Sequence, residues 1–260
     1  MPHRWDPALY LRYADERGRP FTELLARVHC EQPRLVVDLG CGTGNLTALL
    51  ARRWPEADVR GVDSSAEMVA AADATTGVSY QVADLRTWEP PGPVDVLVSN
   101  ATLQWVPDHL DLLPRLVGFV AGSGWLAFQV PGNFEEPSHA LRRDLEQDPR
   151  FAPHLTDVAG PSAFDAATYL AALADLGMSV DAWETTYLHV LHGKDPVFDW
   201  VVGTGARPTL QALPDDLRAQ FEDRYRRALR AAYPVQEWGT VLPFRRIFVV
   251  ARKPQGVPVP

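Results

Sequence analysis

Residue types suited to ligand binding stand where an apolar run of the sequence ends. Asp38 closes a run that begins at Leu35, and three alternate glycines follow it, namely Gly40, Gly42 and Gly44. A backbone without Cβ atoms can take unusual dihedral angles and lets a ligand lie against the main chain. The pattern therefore predicts a buried strand, a ligand-binding turn and then a helix, with a carboxylate placed to meet a cationic group such as an ammonium.

A dinucleotide is the first alternative for a glycine-rich turn of this kind. Its fingerprint, Gly-x-Gly-x-x-Gly or Ala, requires a third small residue at position 45, where the chain has Asn45. An NAD-type oxidoreductase is disfavoured for this reason, although it would share the fold and stays open as an alternative.

Three more polar side chains follow predicted strands. Asp63 ends the second strand, about twenty residues beyond the glycine turn, where an acid in this architecture accepts hydrogen bonds from ribose hydroxyls. Asp84 follows the third strand and Asn100 follows the fourth. Because ligands of such sheets bind at the carboxyl ends of the strands, we expect these side chains and Asp38 to surround one ligand.

The elements that must position these side chains alternate between strands and helices. Strands are predicted at 35–38, 57–63, 78–82, 94–98, 124–130, 179–191 and 245–251, and a long amphipathic helix at Asp215–Ala232. A further helix, with Pro20 just inside its start, is predicted before the first strand. This alternation predicts an α/β fold with a doubly wound, parallel sheet.

Length and composition favour one large domain. The 260 residues, of which 46% are hydrophobic, suffice for one α/β core and are too few for two catalytic domains. We expect a single domain over residues 1–253, with a helical N-terminal segment at 1–33, a cofactor-binding core at 34–131, helical insertions at 132–165 and 192–243, and a disordered tail at 254–260. The aromatic residues of the N-terminal segment would either pack in the core or fold over the ligand as a lid.

Charge and cysteine content exclude several classes of protein. A formal net charge of -8 argues against a general nucleic-acid-binding protein, and no apolar run approaches the roughly 20 residues of a membrane-spanning helix. The two cysteines, Cys30 and Cys41, do not suggest a disulfide framework and are expected to be inert. We expect a cytoplasmic monomer that acts on a small molecule.

Neither a metal site nor a covalent nucleophile is expected. His189 and His192 are three residues apart on or near a strand, so their side chains would point to opposite faces. The sequence has no Gly-x-Ser-x-Gly elbow, and neither cysteine has an evident catalytic partner.

The chain resembles the class I S-adenosylmethionine-dependent methyltransferase family at residues 36–44, Asp63, residues 83–85 and residues 94–100. The resemblance implies a Rossmann-like sheet of seven strands, mostly parallel with an antiparallel last strand, and S-adenosylmethionine as the cofactor. Asp38 and the glycines would hold the methionine part, Asp63 the ribose, and Asp84 with Leu85 the adenine, while Asn100 would lie on the far side of the methionine. The cofactor-binding residues implied in this way are Asp38, Gly40, Gly42, Gly44, Asp63, Ser64, Asp84, Leu85, Asn100, Trp5, Tyr10 and Arg17.

Further segments, most of them outside this core, resemble the trans-aconitate 2-methyltransferase family nearly end to end. They are Trp5-Asp6-Pro7-x-x-Tyr10, Arg17-x-x-Pro20, Asn100-Ala101-x-Leu103-Gln104-Trp105, Trp183-x-Thr185-Thr186-Tyr187-x-His189, Asp199-Trp200-Val201 and Arg246-x-Phe248. This resemblance implies direct in-line transfer of a methyl group to a carboxylate of trans-aconitate, which would give a monomethyl ester and S-adenosylhomocysteine. Another small-molecule acceptor, or adenosylmethionine binding without chemistry, stays open.

Methyl transfer to a carboxylate requires no general base, because the nucleophile is already ionised at neutral pH. We therefore expect no catalytic acid or base. Planar guanidinium groups suit the carboxylates that do not react, and the expected ligands are Arg207, in a turn at 204–208, and Arg246, on the last strand. For each arginine, a surface ion pair is an equally good interpretation as a contact with the acceptor. The secondary candidates for binding the acceptor are Tyr187, His189, Gln104 and Asn133.

Overall fold

The computed structural model describes residues 14–72, 77–156, 158 and 160–256, and the side chains from residue 18 onward within those ranges. Its strands are β1 Leu35–Leu39, β2 Asp58–Asp63, β3 Ser79–Val82, β4 Val94–Asn100, β5 Val120–Pro131, β6 Ser179–Leu191 and β7 Thr240–Arg252. Its α-helices are α1 Ala14–Ala26, α2 Thr47–Arg53, α3 Ala66–Ala70, α4 Leu113–Phe119, α5 Pro137–Glu146, α6 Ala166–Asp175, α7 Pro196–Val202, α8 Arg207–Ala212 and α9 Asp215–Ala232. Short 3₁₀ helices lie at Leu103–Trp105, His109–Leu112 and Ala152–His154.

The strands form one sheet in the order β3-β2-β1-β4-β5-β7-β6. Strand β1 pairs in parallel with β2 and β4, β2 pairs in parallel with β3, and β4 with β5. Lys253 N donates to Gly124 O and Gly132 N donates to Arg245 O, so residue numbers fall along β7 as they rise along β5. The last strand is therefore antiparallel, and the predicted fold class is confirmed.

The central strands are apolar because helices and neighbouring strands bury them. All five residues of β1 are buried, and fully buried side chains such as Val37, Leu97, Phe128 and Val249 join one hydrophobic cluster across β1, β4, β5 and β7. Strands buried on both faces read as nearly continuous hydrophobic runs. A polar side chain in one of these runs therefore needs a specific explanation, either a hydrogen-bond partner or a role in function.

The chain divides into two compact units. The sheet unit takes its described residues from Pro2–Val130, Ala163–Thr185 and Arg246–Pro260, and the helical unit takes them from Pro131–Ser162 and Thr186–Arg245. Within the helical unit, α9 packs against α5 and α7. The predicted insertions at 132–165 and 192–243 fall largely within the helical unit, and the single-domain organisation over 1–253 stays a prediction.

Three predicted element starts were wrong. Strand β5 begins at Val120 and not at residue 124. Helix α1 begins at Ala14, so Pro20 lies in its interior and not in its first turn. Strand β7 begins at Thr240 and includes Pro243. The apolar pattern placed the start of the strand after this proline, but a proline is compatible with extended backbone at a position that needs no N–H donor.

Two smaller differences concern candidate residues. Strand β1 continues one residue beyond Asp38, to Leu39. Arg207 is the first residue of helix α8 and does not lie in an irregular turn. The helix can begin here because Pro208 lies in its first turn, where the missing N–H of a proline removes no hydrogen bond. The last four residues of the predicted tail, 257–260, lie outside the described residues.

A buried hydrogen-bond chain fixes the segment that follows β4 against α6. His109 Nδ1 lies 3.2 Å from Val106 O, and its Nε2 lies 2.6 Å from Tyr169 Oη. Because a carbonyl only accepts, Nδ1 carries the proton, and the Tyr169 hydroxyl donates to Nε2 while accepting from Phe164 N at 3.2 Å. Burial lowers the pKa of His109, which keeps the ring neutral.

None of the helices within the described part of the chain is long and apolar enough to cross a membrane.

Candidate functional site

The glycine-rich turn after β1 depends on backbone conformations that favour glycine. The φ angle is +80° at Gly40 and +74° at Gly44. A Cβ on Gly40 would lie 2.0 Å from Thr102 Oγ1, and one on Gly44 would lie 2.3 Å from Tyr80 Oη. Since no other residue fits either position, the turn presents bare main chain at the carboxyl end of β1.

Asp38 is a buried carboxylate beside this turn. It is 2% exposed, and Thr47 Oγ1 donates a hydrogen bond to its Oδ2 at 2.7 Å. Burial raises the pKa of Asp38 to about 7; the hydrogen bond from Thr47 opposes this shift, and the charge of Asp63 adds to it. A desolvated carboxylate of this kind is stabilised in its ionised form by a cationic ligand.

Asp63, at the end of β2, links the turn to the next helix. Its Oδ2 accepts from Gly42 N at 2.9 Å, and its Oδ1 accepts from Ser65 N at 2.9 Å. A carboxylate offers about four lone-pair sites, so these two bonds leave it able to accept further hydrogen bonds. Ser65 caps α3 by accepting from Met68 N, and Ser64 is exposed.

The acid after β3 is already paired. Arg86 Nη2 lies 2.5 Å from Asp84 Oδ2, and Arg86 N donates to Asp84 Oδ1 at 2.9 Å. The hydrogen bonds from Arg86 lower the pKa of Asp84. Leu85 is half-buried and packs against the hydrophobic cluster. At this strand end the sequence pattern had identified the acid but not its arginine.

Two buried amides lie at and after the end of β4, and neither amide oxygen has a partner in the described part of the chain. Asn100 Oδ1 and Gln104 Oε1 accept no hydrogen bond from any described residue. Gln104 Nε2 donates to Ala101 O at 2.6 Å, which turns its oxygen away from that carbonyl. Ala101 has a φ of +55°, so the chain reverses in a conformation that L-residues rarely adopt. Unsatisfied buried acceptors call for a donor, and an ammonium is one.

A guanidinium and a third amide lie on the neighbouring strands of the same unit. Arg246 on β7 is 4% exposed, and its Nη1 donates to Gln129 Oε1 on β5 at 3.0 Å. Gln129 is 1% exposed and is the register partner of Asn100 on β4. Buried charge is tolerated in proteins where it is hydrogen-bonded, as it is here.

The other predicted acceptor-binding residues belong to the helical unit. Tyr187 and His189 alternate along β6 with the exposed Leu188, and His189 stacks on Trp200 with ring centroids 4.8 Å apart. Asn133 is buried, and its Oδ1 has no hydrogen-bond partner among the described residues. Arg207, at the start of α8, is half-buried.

Three of the predicted cofactor-binding residues cannot be placed. Trp5 and Tyr10 lie outside the described residues, and so does the side chain of Arg17, whose backbone belongs to α1. The lid hypothesis for residues 1–33 therefore stays a prediction.

The described cysteines and histidines were also considered as metal ligands and nucleophiles. In the parts of the chain that the structure describes, no three His, Cys, Asp or Glu side chains are grouped as metal ligands. Burial raises the pKa of Cys30 and of Cys41, which keeps both thiols protonated and poorly nucleophilic at neutral pH.

Several residues of this site were not predicted from the sequence. They are Thr47, Tyr80, Arg86, Thr102 and Gln129. Gln129 had a visible signal, because it is the polar residue inside the apolar run at 126–130. Thr47, Tyr80 and Thr102 act through contacts made by the tertiary fold, for which a single sequence gives no pattern.

Comparison with known proteins places the chain in a family. A model of the methyltransferase domain matches residues 36–124. The trans-aconitate 2-methyltransferase of Streptomyces avermitilis is 52% identical over 96% of this chain and 97% of its own length. The protein of the same name from Streptomyces coelicolor is 50% identical over 97% of this chain and 88% of its own length.

A solved structure supports the fold independently. The phosphoethanolamine N-methyltransferase 2 of Haemonchus contortus, solved with S-adenosylhomocysteine, superposes with a TM-score of 0.55 at 16% identity, over 91% of this chain and 53% of that one. Because identity of about 50% extends over almost the whole chain and well beyond the methyltransferase domain, the chain belongs to the trans-aconitate 2-methyltransferase family.

Proposed function

We propose that the protein is an S-adenosylmethionine-dependent carboxyl O-methyltransferase that converts trans-aconitate to a monomethyl ester. The observation that carries this proposal is the identity with relatives named trans-aconitate 2-methyltransferase, which spans 96% of the chain in the Streptomyces avermitilis protein. It therefore includes both the sheet unit and the helical unit, and is not restricted to the matched methyltransferase domain.

The residues present fit the cofactor. The ammonium of a methionine group needs acceptors, and the sheet unit offers the buried carboxylate of Asp38 together with the unpartnered Asn100 Oδ1. The glycine turn supplies main chain that a ligand can approach, and Asp63 retains lone pairs for ribose hydroxyls. When bound, S-adenosylmethionine supplies a methyl group activated by a sulfonium.

The chain's own contribution is to hold the acceptor. A carboxylate is ionised at neutral pH, so we propose no catalytic acid or base in this site. Correct positioning of a nucleophile is worth roughly 7 to 11 kcal/mol in favourable cases. Arg246 is the proposed ligand for a carboxylate that does not react, because a guanidinium can grip a carboxylate bidentately. Arg207, Tyr187, His189 and Asn133 of the helical unit, and Gln104 of the sheet unit, stay predictions from the sequence.

The test is product analysis by mass spectrometry. Purified protein is incubated with S-adenosylmethionine and one acid at a time. The four acids are trans-aconitate, cis-aconitate, citrate and isocitrate. We expect a monomethyl ester from trans-aconitate, and a kcat at saturating cofactor that does not rise between pH 7 and 9. A phenol or amine acceptor would require deprotonation and give a rising profile. Failure to form an ester from any of the four acids would refute the proposed acceptor class.

We also propose that the protein works as a cytoplasmic monomer on a free small molecule, without nucleic-acid partners. The net charge of -8 supports the last point, because general nucleic-acid binding relies on basic surfaces. Light scattering during gel filtration tests the oligomeric state, and fractionation of cells tests the location.

A further inference from the structure

Gln129 is a polar side chain in the middle of an apolar strand. Its neighbours on β5, Phe128 and Val130, are fully buried, and Gln129 itself is 1% exposed. An amide in such surroundings is unfavourable unless its donor and its acceptor both find partners. The packing of the strand does not account for this residue, since an apolar side chain would fill the same space.

Arg246 determines which way the Gln129 amide points. A guanidinium carries only donors, so the atom that faces Arg246 Nη1 at 3.0 Å must be the amide oxygen. The usual ambiguity between the oxygen and nitrogen of a glutamine is therefore removed. The amide nitrogen, Nε2, is left on the other side, and no described residue accepts a hydrogen bond from it.

The buried polar groups of the sheet unit differ in what they can bind. Arg246 on β7 carries N–H donors, whereas Asn100, the register partner of Gln129 on β4, and Gln104 carry oxygens, Oδ1 and Oε1, that accept no hydrogen bond from a described residue. A carboxylate would accept from Gln129 Nε2 and from the guanidinium together. The oxygens of the two other amides suit a cationic group and would not attract a carboxylate.

We propose that Gln129 binds the acceptor: its Nε2 donates to a carboxylate that does not react, while its Oε1 orients the Arg246 guanidinium toward the same carboxylate. This inference rests on the proposed carboxyl methyltransferase function. It also explains why the residue is glutamine. A glutamate could still accept from Arg246, but it would neutralise the guanidinium and place a negative charge where the acceptor's carboxylate must lie.

Two substitutions test this assignment. Gln129→Glu keeps the acceptor for Arg246 and replaces the donor by a charge, and Gln129→Met removes both functions at similar volume. We expect Gln129→Glu to weaken trans-aconitate binding on the order of a hundredfold, and Gln129→Met at least tenfold. The dissociation constant for trans-aconitate is measured by calorimetry in the presence of S-adenosylhomocysteine, whose own affinity should change less than about threefold. Gln220→Glu, the same change at an exposed position of α9, should alter neither value.

Acceptors that lack one carboxylate separate a ligand contact from a structural role. Itaconate, glutaconate and 2-methylbut-2-enedioate each correspond to trans-aconitate with one carboxylate replaced by hydrogen. If Gln129 contacts a carboxylate, one of the three acids should bind the parent and Gln129→Met about equally, while the other two lose affinity in the variant. Equal losses for all three acids would indicate a packing defect and overturn the proposal.

The remaining outcomes are also distinguishable. Thermal unfolding checks that the variants fold. If Gln129→Met does not fold, Gln129→Glu takes its place in the binding test, because this variant keeps the hydrogen bond to Arg246. Folded variants that bind trans-aconitate like the parent would overturn the role of Gln129 alone. A parent protein that neither binds trans-aconitate nor esterifies it would instead overturn the proposed function, and this inference with it.

Discussion

Replacing Asp38 by asparagine should stabilise the protein without ligand and at the same time weaken cofactor binding. The side chain is 2% exposed and accepts a hydrogen bond from Thr47, which an asparagine oxygen can also accept. The substitution keeps the shape and removes the charge. A buried carboxylate whose charge is stabilised by a cationic ligand destabilises the protein without that ligand. Removing the charge should therefore raise stability and lower affinity.

The expected stability change follows from the raised pKa of Asp38. Burial moves it from 3.8 to about 7, so the folded protein binds this proton more tightly than the unfolded chain does. Stability is therefore greatest below pH 4 with respect to this group, and it is lost as the pH rises to about 7. The full loss corresponds to about 4 kcal/mol. Asp38→Asn should thus unfold at a higher temperature than the parent at pH 8, and the difference should shrink toward pH 4.

The same pKa predicts how the affinity depends on pH. If the ammonium of the cofactor requires ionised Asp38, the dissociation constant grows as the fraction of ionised Asp38 falls, by about tenfold from pH 8 to pH 6. Titration calorimetry with S-adenosylhomocysteine measures this constant, and buffers of different ionisation enthalpy report the proton released at pH 6. Asp38→Asn should bind weakly and release no proton.

Two results would contradict this reasoning about Asp38. One is an affinity of the parent protein that is the same at pH 6 and pH 8. The other is an asparagine variant that is less stable than the parent at pH 8, since a neutral amide would then be worse accommodated than the buried charge. Either result would mean that the carboxylate has a structural partner in the folded protein that compensates its burial.

Three further substitutions are predicted to act on different properties. Asp63→Ala should weaken S-adenosylhomocysteine binding at least tenfold in calorimetry, because it removes the expected ribose acceptor and the hydrogen bond to Gly42 N. Arg246→Lys keeps the charge but loses the planar guanidinium that can bind a carboxylate through two hydrogen bonds. It should therefore raise KM for trans-aconitate more than KM for S-adenosylmethionine in initial-rate assays. Tyr169→Phe should lower the free energy of unfolding in urea by about 1 to 3 kcal/mol, because His109 Nε2 and Phe164 N lose their partner.

Each of these predictions has a result that would reject it. Unchanged S-adenosylhomocysteine affinity in a folded Asp63→Ala protein would remove this acid from the cofactor site. Equal changes in both KM values for Arg246→Lys would indicate a general distortion and not a lost carboxylate ligand. Full stability of Tyr169→Phe would show that water satisfies His109, and the kinetic constants of this variant serve as the check that the site is intact.

The fold was predictable because its signals are local and repeated. The hydrophobic runs that form β1, β4 and β5 alternate with helical periodicity, and Asp215–Ala232 has an apolar side at i, i+4 spacing that ends where the structure ends it. Boundaries failed where proline or a weakly periodic segment intervened. Pro243 concealed the start of β7, and the first turn of α1 has helix-forming residues without an apolar stripe.

The candidate site was predictable only in part, because a sequence shows residues and not their partners. The acids at the ends of β1, β2 and β3 were identified by position, yet one sequence could not show that Asp84 pairs with Arg86 or that Asp63 holds the glycine turn. Gln129 was overlooked, although a lone amide in a run of buried apolar residues contradicts the local pattern. Conflicts of this kind are expected at functional positions.

The order of the strands explains how one sheet edge can serve two ligands of opposite charge. Neighbouring strands β1, β4, β5 and β7 carry Asp38, Asn100, Gln129 and Arg246, all of them buried. The charge thus changes from an anion on β1 to a cation on β7, with two neutral amides between them. A cationic methionine group is favoured at the first strands and an anionic acceptor at the last. On the proposed assignment, the amides separate the carboxylate of Asp38 from the guanidinium of Arg246, so each of the two charges meets a ligand of opposite sign.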